Sequence, residues 1–319
     1  MSRYRSSLMT ALLLPLLACS AGTTQAREVA APADHVQADG PYVFRQGDRV
    51  QAKWICADKV ESRTLASGAT GTDIAPRCGY EHTVHVAAPN AASVSVLPAT
   101  PRIVALSDIH GQYGLLVRLL RAHHVIDAED RWALGKDTLV IAGDVFDRGP
   151  QVTEAFWLLY GLQQQAAAAG GAVHFVLGNH ETMVLYDDLR YVNPKYLRSA
   201  QLLGRSYPQL YGADSVIGQW LRTRPVLLKI GDTLFLHGGI SPEAVQLALD
   251  PARTNAAYQA SLGLPKAEVK ADPATAPLYD GKTSPIWYRG YFDGRLDTAG
   301  VQAVLDRLQF TLAPAAPRP

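Results

Sequence analysis

The chain has 319 residues, of which 48% are hydrophobic and 18% charged, and its formal net charge is +1 at pH 7. This composition is typical of a packed globular protein and excludes a largely disordered chain. A net charge so close to zero gives no electrostatic reason to expect nucleic acid as a partner, so we predict no nucleic-acid binding.

Residues 1–26 have the pattern of a secretory signal peptide. Two arginines precede an apolar run over residues 8–18, which is too short for a membrane-spanning helix of about 20 residues. Two cleavage sites fit the sequence: a bacterial lipobox ending at Cys19, which would then carry a lipid anchor, and an ordinary signal-peptidase site at Thr24-Gln25-Ala26. Both predict a periplasmic or secreted protein, lipid-anchored in the first case.

Residues 27–100 are predicted to form a linker and a small β-rich region. Alternating segments such as Tyr42-Val43-Phe44 indicate short strands, and Val94-Ser95-Val96-Leu97 indicates an edge strand. In an exported protein Cys56 and Cys78 are expected to form a disulfide, which the chain-entropy model values at about 3 kcal/mol. Two buried free thiols are the alternative.

Residues 101–312 are predicted to form one α/β domain, because short apolar runs alternate with segments of helical periodicity. The predicted strands lie at 103–106, 138–142 and 173–177, and the predicted helices at 112–122 and 151–169. Polar residues follow each strand directly, and such folds place their sites at the carboxyl ends of strands.

The rest of the domain has a less regular pattern. Residues 183–224 are predicted to be a mostly helical insertion over the site, and residues 250–280, which are rich in alanine and proline, are predicted to be a loop. A hairpin at 226–236 is followed by a helix at 298–308, and residues 313–319 are predicted to be a disordered tail.

Four short strings carry the chemistry. They are Asp108-Ile109-His110-Gly111, Gly143-Asp144-Val145-Phe146-Asp147-Arg148-Gly149, Gly178-Asn179-His180-Glu181 and His237-Gly238-Gly239. Two metal ions that clamp a phosphoryl group need one carboxylate that bridges both ions, with further Asp, Asn and His ligands on each side. The four strings supply these residue types in order, each after a strand, which is far more specific than a single Asp-x-His.

These residue types allow a ligand assignment. Asp144 is the expected bridge, while Asp108 and His110, two residues apart at a strand end, can reach one ion. Asn179 offers an amide oxygen and His237 a ring nitrogen to the second ion. Because all of these ligands are nitrogen or oxygen, two divalent ions of Mn, Fe or Zn are expected.

At these residues the chain resembles the calcineurin-like metallophosphoesterases, and within them the phosphoprotein phosphatase type. Arg289, within Ser284-Pro285-Ile286-Trp287-Tyr288-Arg289-Gly290-Tyr291, adds a resemblance to the bacterial Shewanella-like protein phosphatases. The resemblance implies an α/β four-layer sandwich, with two central mixed β-sheets flanked by helices. It also implies a phosphoesterase whose substrate is a phosphorylated protein or a small phosphoester.

The resemblance also implies catalytic roles. Arg148 and Arg289 would grip phosphate oxygens, since a planar guanidinium can bind them bidentately. His180 would protonate the leaving alkoxide, and Asp147 would orient the His180 ring. A hydroxide bridging the two metals would attack phosphorus.

The chain departs from the family pattern after residue 308. The family carries a further metal-binding histidine on a strand after a helix like the one at 298–308, whereas residues 309–319 contain no histidine. We therefore expect a fold that lacks a C-terminal strand and a second ion with only three protein ligands (Asp144, Asn179 and His237). Two alternatives to a protein phosphatase stay open: a dinucleoside polyphosphate hydrolase, and a truncated, metal-poor phosphate-binding relic without turnover.

Overall fold

A computed structural model describes residues 31–68, 71–88, 94–246 and 250–308. The signal peptide predicted over residues 1–26, including Cys19, the predicted tail and the segment where a C-terminal strand was expected lie outside the described residues. Within the described ranges, no helix combines the length and the apolar character needed to cross a membrane.

Strands dominate the described part of residues 31–100, and helices alternate with strands afterwards. The strands are β1 (Ala38–Gln46), β2 (Arg49–Cys56), β3 (Lys59–Ala66), β4 (Thr72–Ile74), β5 (Val84–Val86), β6 (Val96–Leu97), β7 (Ile103–Leu106), β8 (Thr138–Ile141), β9 (Ala172–Phe175), β10 (Leu228–Ile230) and β11 (Thr233–Phe235). The α-helices are α1 (Tyr113–Ala122), α2 (Val152–Ala168), α3 (Asn179–Leu185), α4 (Pro194–Leu203), α5 (Tyr207–Leu210), α6 (Val216–Arg222), α7 (Pro242–Gln246), α8 (Pro251–Ser261), α9 (Lys266–Ala271) and α10 (Thr298–Leu308). A 3-10 helix spans Ala276–Leu278.

One sheet has the order β7-β8-β9, and both strand pairs are parallel. All four residues of its central strand β8 are buried. Since successive side chains of a strand point to opposite faces, both faces of β8 are covered. Leu139 and Ile141 join the core that contains Phe156 of α2, whereas Val140 points to the other face. This strand therefore lies between a helical layer and a second layer.

The second layer is the sheet β6-β10-β11, in which β10 runs parallel to β6 and antiparallel to β11. Val140 and Val176 pack against Leu228 and Ile230 of β10, so the two sheets share a hydrophobic interface. On the far side, Val304 of α10 packs against α7, and partly buried leucines of the β11 segment contact the same cluster. The order helix, sheet, sheet, helix is the predicted four-layer α/β architecture.

The N-terminal region is joined to this domain by buried contacts. Strands β1, β2 and β3 form an antiparallel sheet, and the Trp157 indole of α2 donates a hydrogen bond to Pro41 O at 2.8 Å. Cys56 and Cys78 form the expected disulfide, with their Cα atoms 5.3 Å apart. Strand β6 pairs with β10, so this region also contributes a strand to the second sheet.

The insertion at 183–224 is mostly helical, as predicted. The prediction of a loop over residues 250–280 was wrong, since α8, α9 and the 3-10 helix lie there. Asp250 caps α8 by accepting a hydrogen bond from Arg253 N at 2.8 Å, and Pro251 occupies the first turn. Proline is favoured at that position because its missing N–H is not needed there.

Candidate metal centre and active site

The predicted site residues follow the carboxyl ends of neighbouring strands. Asp108 and His110 follow β7, Asp144 follows β8, Asn179 comes after β9 and His237 after β11. Asp108, His110 and Asp144 have φ values of 56°, 45° and 59°, the left-handed region that non-glycine residues rarely adopt. Turns of this kind redirect the side chains from the strand ends toward one another, and backbone strain of this kind clusters at functional sites.

Asp144 lies at the centre of the cluster and is only 2% exposed. Its Oδ2 atom is 3.2 Å from His237 Nε2, 3.7 Å from His110 Nε2 and 3.8 Å from His180 Nε2. Asp108 Oδ1 lies 3.9 Å from His110 Nε2, at the exposed rim. Three imidazoles thus point the same ring atom at one buried carboxylate.

The opposite ring nitrogens are held by backbone carbonyls in two of the histidines. His110 Nδ1 donates to Phe146 O at 2.8 Å, and His237 Nδ1 donates to Ala142 O at 2.8 Å. In its neutral form, a histidine that donates from Nδ1 presents a lone pair at Nε2, which is the usual arrangement around a bound metal ion. Burial also lowers the pKa of His110, which favours its neutral form.

Two overlapping groups of donor atoms could hold metal ions, with all donors of a group within 4.8 Å of one another. One contains His110, Asp144 and His180, and the other contains Asp108, Asp144 and His237. Asp144 is common to both, as a bridging ligand must be, but the groups place Asp108 with His237 and His180 with His110, whereas the sequence-based assignment pairs Asp108 with His110. Burial alone would raise the pKa of Asp144, but hydrogen bonding and positive charge from His237 and His180 lower it. This donor set fits divalent ions of borderline hardness.

His180 is paired with Asp147. Its Nδ1 lies 2.6 Å from Asp147 Oδ2, and both side chains are buried. Burial opposes a charged imidazole, but the hydrogen bond to Asp147 and the nearby Asp144 carboxylate outweigh it, so the pKa of His180 is raised. Asp147 Oδ1 is buried and has no hydrogen-bond partner among the described residues. The raised pKa favours the protonated form of His180, with the ring oriented toward Asp144.

Arg289 reaches the cluster from the C-terminal segment. Its Nη2 lies 3.1 Å from His237 Nε2 and 3.4 Å from Asn179 Oδ1. Its Nη1 donates to the carbonyls of Ile286 and Tyr288 at 3.2 and 3.3 Å. These carbonyls aim the guanidinium at the side of the cluster formed by Asn179 and His237.

Arg148 is exposed and lies beside Tyr191. Its guanidinium carbon is 5.5 Å from the centroid of the Tyr191 ring, and that ring lies 5.3 Å from the imidazole of His180. All nine predicted site residues therefore gather in one region. Arg148 is the most peripheral, because it faces solvent beside Tyr191.

Glu181 holds two loops of the site together through its buried carboxylate. Its carboxylate accepts hydrogen bonds from the backbone N–H groups of Gly178, Asp144, Val145 and Phe146, at 2.8 to 3.3 Å. One buried carboxylate thus ties the turn after β9 to the turn after β8.

Sequence reasoning did not assign several residues around the site. Ser107 Oγ donates to Asp108 Oδ2 at 2.6 Å, which orients that carboxylate. Tyr191 contacts both Arg148 and His180, and Asn193 and Lys195 reach the backbone of the Arg148 loop. The Asn193-Pro194 pair, a helix-start signal, was the only hint that the chain turns beside the site there.

The family model described as calcineurin-like phosphoesterase matches residues 101–281. The chain belongs to the calcineurin-like phosphoesterase family. Among solved structures, the calcineurin-like fold seen here is similar to the crystal structure of the cold-active protein-tyrosine phosphatase of a psychrophilic Shewanella species. The two are 38% identical with a TM-score of 0.82, over 86% of this chain and 83% of that one.

Sequence relatives point the same way over a shorter stretch. Shewanella-like protein phosphatase 2 of Arabidopsis thaliana is 28% identical over 47% of this chain and 49% of the relative. Shewanella-like protein phosphatase 1 of Plasmodium berghei is 32% identical, over 44% and 39%. The symmetrical bis(5'-nucleosyl)-tetraphosphatase of Hamiltonella defensa is 32% identical, over 43% and 44%. The chain thus spans about half the length, or less, of these relatives.

Proposed function

We propose that this calcineurin-like phosphoesterase is a metal-dependent phosphomonoesterase that acts on phosphorylated proteins. The observation that carries the proposal is the buried carboxylate of Asp144, faced by the Nε2 atoms of three histidines at 3.2 to 3.8 Å. The similarity to a protein-tyrosine phosphatase over most of both chains supports a protein substrate. A small phosphoester is a second candidate substrate.

We assign the ligands from the motifs and from proximity, since Asp108 Oδ1 lies 3.9 Å from His110 Nε2, and Arg289 Nη2 contacts both Asn179 Oδ1 and His237 Nε2. Asp108 and His110 would hold one ion, Asn179 and His237 the other, and Asp144 both. Ions of Mn, Fe or Zn held there would polarise a water molecule and a phosphoryl oxygen. The three histidine Nδ1 atoms are already engaged, so each ring is fixed before a ligand arrives.

The remaining side chains would handle the substrate. Arg289 and Arg148 flank the cluster and would neutralise the charge of the phosphate oxygens as it is redistributed in the transition state. His180, with its raised pKa, would give its proton to the leaving alkoxide, and Asp147 would keep the ring in place and stabilise its charged form.

The Asp144→Asn variant tests the site. It keeps the shape of the side chain and its acceptor oxygen for His180 N, so the fold should survive. Phosphate release from a phosphopeptide should fall by more than about 100-fold, and bound metal should fall below two ions per chain. Unchanged turnover in a folded, fully metallated variant would reject the assignment.

Other relatives support a second candidate activity, the hydrolysis of dinucleoside polyphosphates. Several bis(5'-nucleosyl)-tetraphosphatases are 30–34% identical over about 40% of this chain. Release of ADP from diadenosine tetraphosphate, faster than phosphate release from phosphopeptides, would favour that activity. A metal content of one ion or none in wild-type protein, with no turnover of either substrate, would instead favour a phosphate-binding relic.

We also propose that the protein works outside the cytoplasm, in the periplasm or secreted. The disulfide between Cys56 and Cys78 supports this, since such bonds persist in oxidising compartments. The mass of the mature N-terminus would distinguish a lipidated Cys19 from cleavage after Ala26. Recovery of unprocessed protein in the cytoplasm would contradict the proposal.

A further inference from the structure

The backbone that carries Arg148 is strained. Asp147 and Arg148 have φ values of 73° and 65°, so two consecutive non-glycine residues lie in the left-handed region. L-amino acids adopt this region at an energetic cost, and they keep it only where surrounding contacts hold them. The loop of residues 147–152 must therefore be held by another part of the protein.

Residues 191–196, which we call the strap, provide that support at Arg148 itself. Arg148 N donates to Tyr191 O at 2.9 Å, and Asn193 Nδ2 donates to Arg148 O at 2.9 Å. Both backbone groups of Arg148 are thus satisfied by the strap. The Tyr191 ring also lies against the Arg148 guanidinium. The strap therefore contacts the arginine on its backbone and on its side chain.

The strap holds the end of the loop as well. Lys195 Nζ donates to Pro150 O at 2.8 Å, and Val152 N donates to Tyr196 Oη at 2.6 Å. Val152 begins α2, so these two bonds fix where the loop joins the helix. Four hydrogen bonds from six consecutive residues hold one short loop.

The ammonium group of Lys195 is itself held by buried carboxyl groups. Its Nζ lies 3.5 Å from Asp39 Oδ1 and 3.7 Å from Glu154 Oε1, and the side chain is 17% exposed. Asp39 also accepts hydrogen bonds from the hydroxyls of Tyr42 and Ser199. Lys195 therefore links the Arg148 loop to β1, α2 and α4, and its position is fixed from several directions.

From these contacts we infer that Asn193 and Lys195 are positioning residues, which hold the Arg148 loop in the conformation that binds a phosphoryl oxygen. The inference rests on the proposed function, because it assigns Arg148 to the phosphate. It predicts that the strap acts on phosphate affinity through Arg148 and leaves the donor atoms around Asp144 unaffected.

The first test is the Asn193→Ser variant, with inorganic phosphate as the probe. In the wild type Asn193 Oδ1 caps α4 through Lys195 N, and serine is an equally good cap but too short to reach Arg148 O. The lost hydrogen bond should raise the Kd for inorganic phosphate and the KM for a phosphopeptide by about 3- to 10-fold. The metal content should change by less than about 2-fold.

Lys195→Met should also raise the Kd for inorganic phosphate. Lys195→Arg should keep most of the wild-type affinity, because arginine retains a donor and a positive charge. Lys136→Met is the matched control, since Lys136 is exposed and precedes β8 at the end of the sheet opposite the site. If Lys195→Met does not fold, Asn193→Ser alone still tests the inference.

The deciding measurement is a double-mutant cycle with Arg148→Ala. If the strap acts through Arg148, Asn193→Ser should have no further effect on phosphate affinity in the Arg148→Ala background. An equal effect in both backgrounds, or no effect of Asn193→Ser on phosphate affinity in the wild type, would overturn the inference. Phosphate binding is measured without turnover, so an inactive wild type would count against the proposed function and leave this test intact.

Discussion

Replacing Glu154 by glutamine should make the protein less sensitive to alkaline pH. Glu154 is only 6% exposed, and its Oε2 atom is buried with no hydrogen-bond partner among the described residues. Burial, with repulsion from Asp39, raises its pKa from 4.5 to about 7, even though Lys195 opposes the rise. Between pH 4.5 and about pH 7, the folded protein therefore keeps a proton on Glu154 that the unfolded chain has released.

The sign and size of the effect follow from this difference. The stabilisation is fully present below pH 4.5, falls as pH rises, and is lost above about pH 7. A tenfold change in acidity is worth about 1.4 kcal/mol, so the loss amounts to about 3 kcal/mol. Glutamine cannot ionise, so Glu154→Gln should not suffer this loss.

This loss is measured as the free energy of unfolding in urea, for wild type and Glu154→Gln, at pH 5 and pH 8 and at one fixed metal concentration. Other titrating groups contribute equally to wild type and variant, so the difference between the two proteins isolates Glu154. The variant should gain up to about 3 kcal/mol on the wild type between the two pH values. Parallel pH dependences of the two proteins would refute the reasoning.

Three further variants test the loops and the disulfide. Gly178→Ala would place a Cβ atom 2.1 Å from Asp144 Oδ1, so phosphatase activity should fall by about 100-fold or more, with metal content measured alongside; full activity would contradict the packing described here. Glu181→Ala would leave several buried N–H groups without an acceptor and should cost about 3–5 kcal/mol in urea unfolding, whereas a cost below about 1 kcal/mol would argue against its tying role. Replacing Cys56 and Cys78 by serine opens a loop with a sequence separation of 22 and should cost about 3 kcal/mol by the same assay, while an unchanged midpoint would show that the disulfide adds no stability.

The elements that the sequence predicted best were those with strong periodicity. Strand β7 and helix α10 have the predicted bounds, 103–106 and 298–308. An apolar run ending in a polar residue defines the strand, and leucine and valine spacing defines the helix. The residues around Asp144 were also predictable, because short motifs fixed which side chains follow which strand.

Residues 250–280 show where sequence reasoning failed. Their prolines were interpreted as loop signals, although Pro251 lies in the first turn of α8 and Pro265 immediately precedes α9. A proline at a helix start and a proline in a loop look alike without the cap residue and the tertiary contacts.

The strap could not be predicted for a different reason. Residues 191–196 contact residues 147–152, about 45 positions earlier, through backbone N–H and carbonyl groups of the earlier segment, which carry no side-chain signature. No periodicity or motif encodes such a pairing. Only the three-dimensional path of the insertion brings the two segments together.

The pairing of β6 with β10 bears on where this protein can be cut. Residues 101–281 match the family model, yet β6 lies outside that range and forms one edge of the second sheet. The Asp39 carboxylate that anchors Lys195 also lies outside it. A fragment limited to residues 101–281 would therefore lack strand β6 and the carboxylate that holds Lys195 beside the Arg148 loop. The segment that matches the family model is thus shorter than the segment that must fold together.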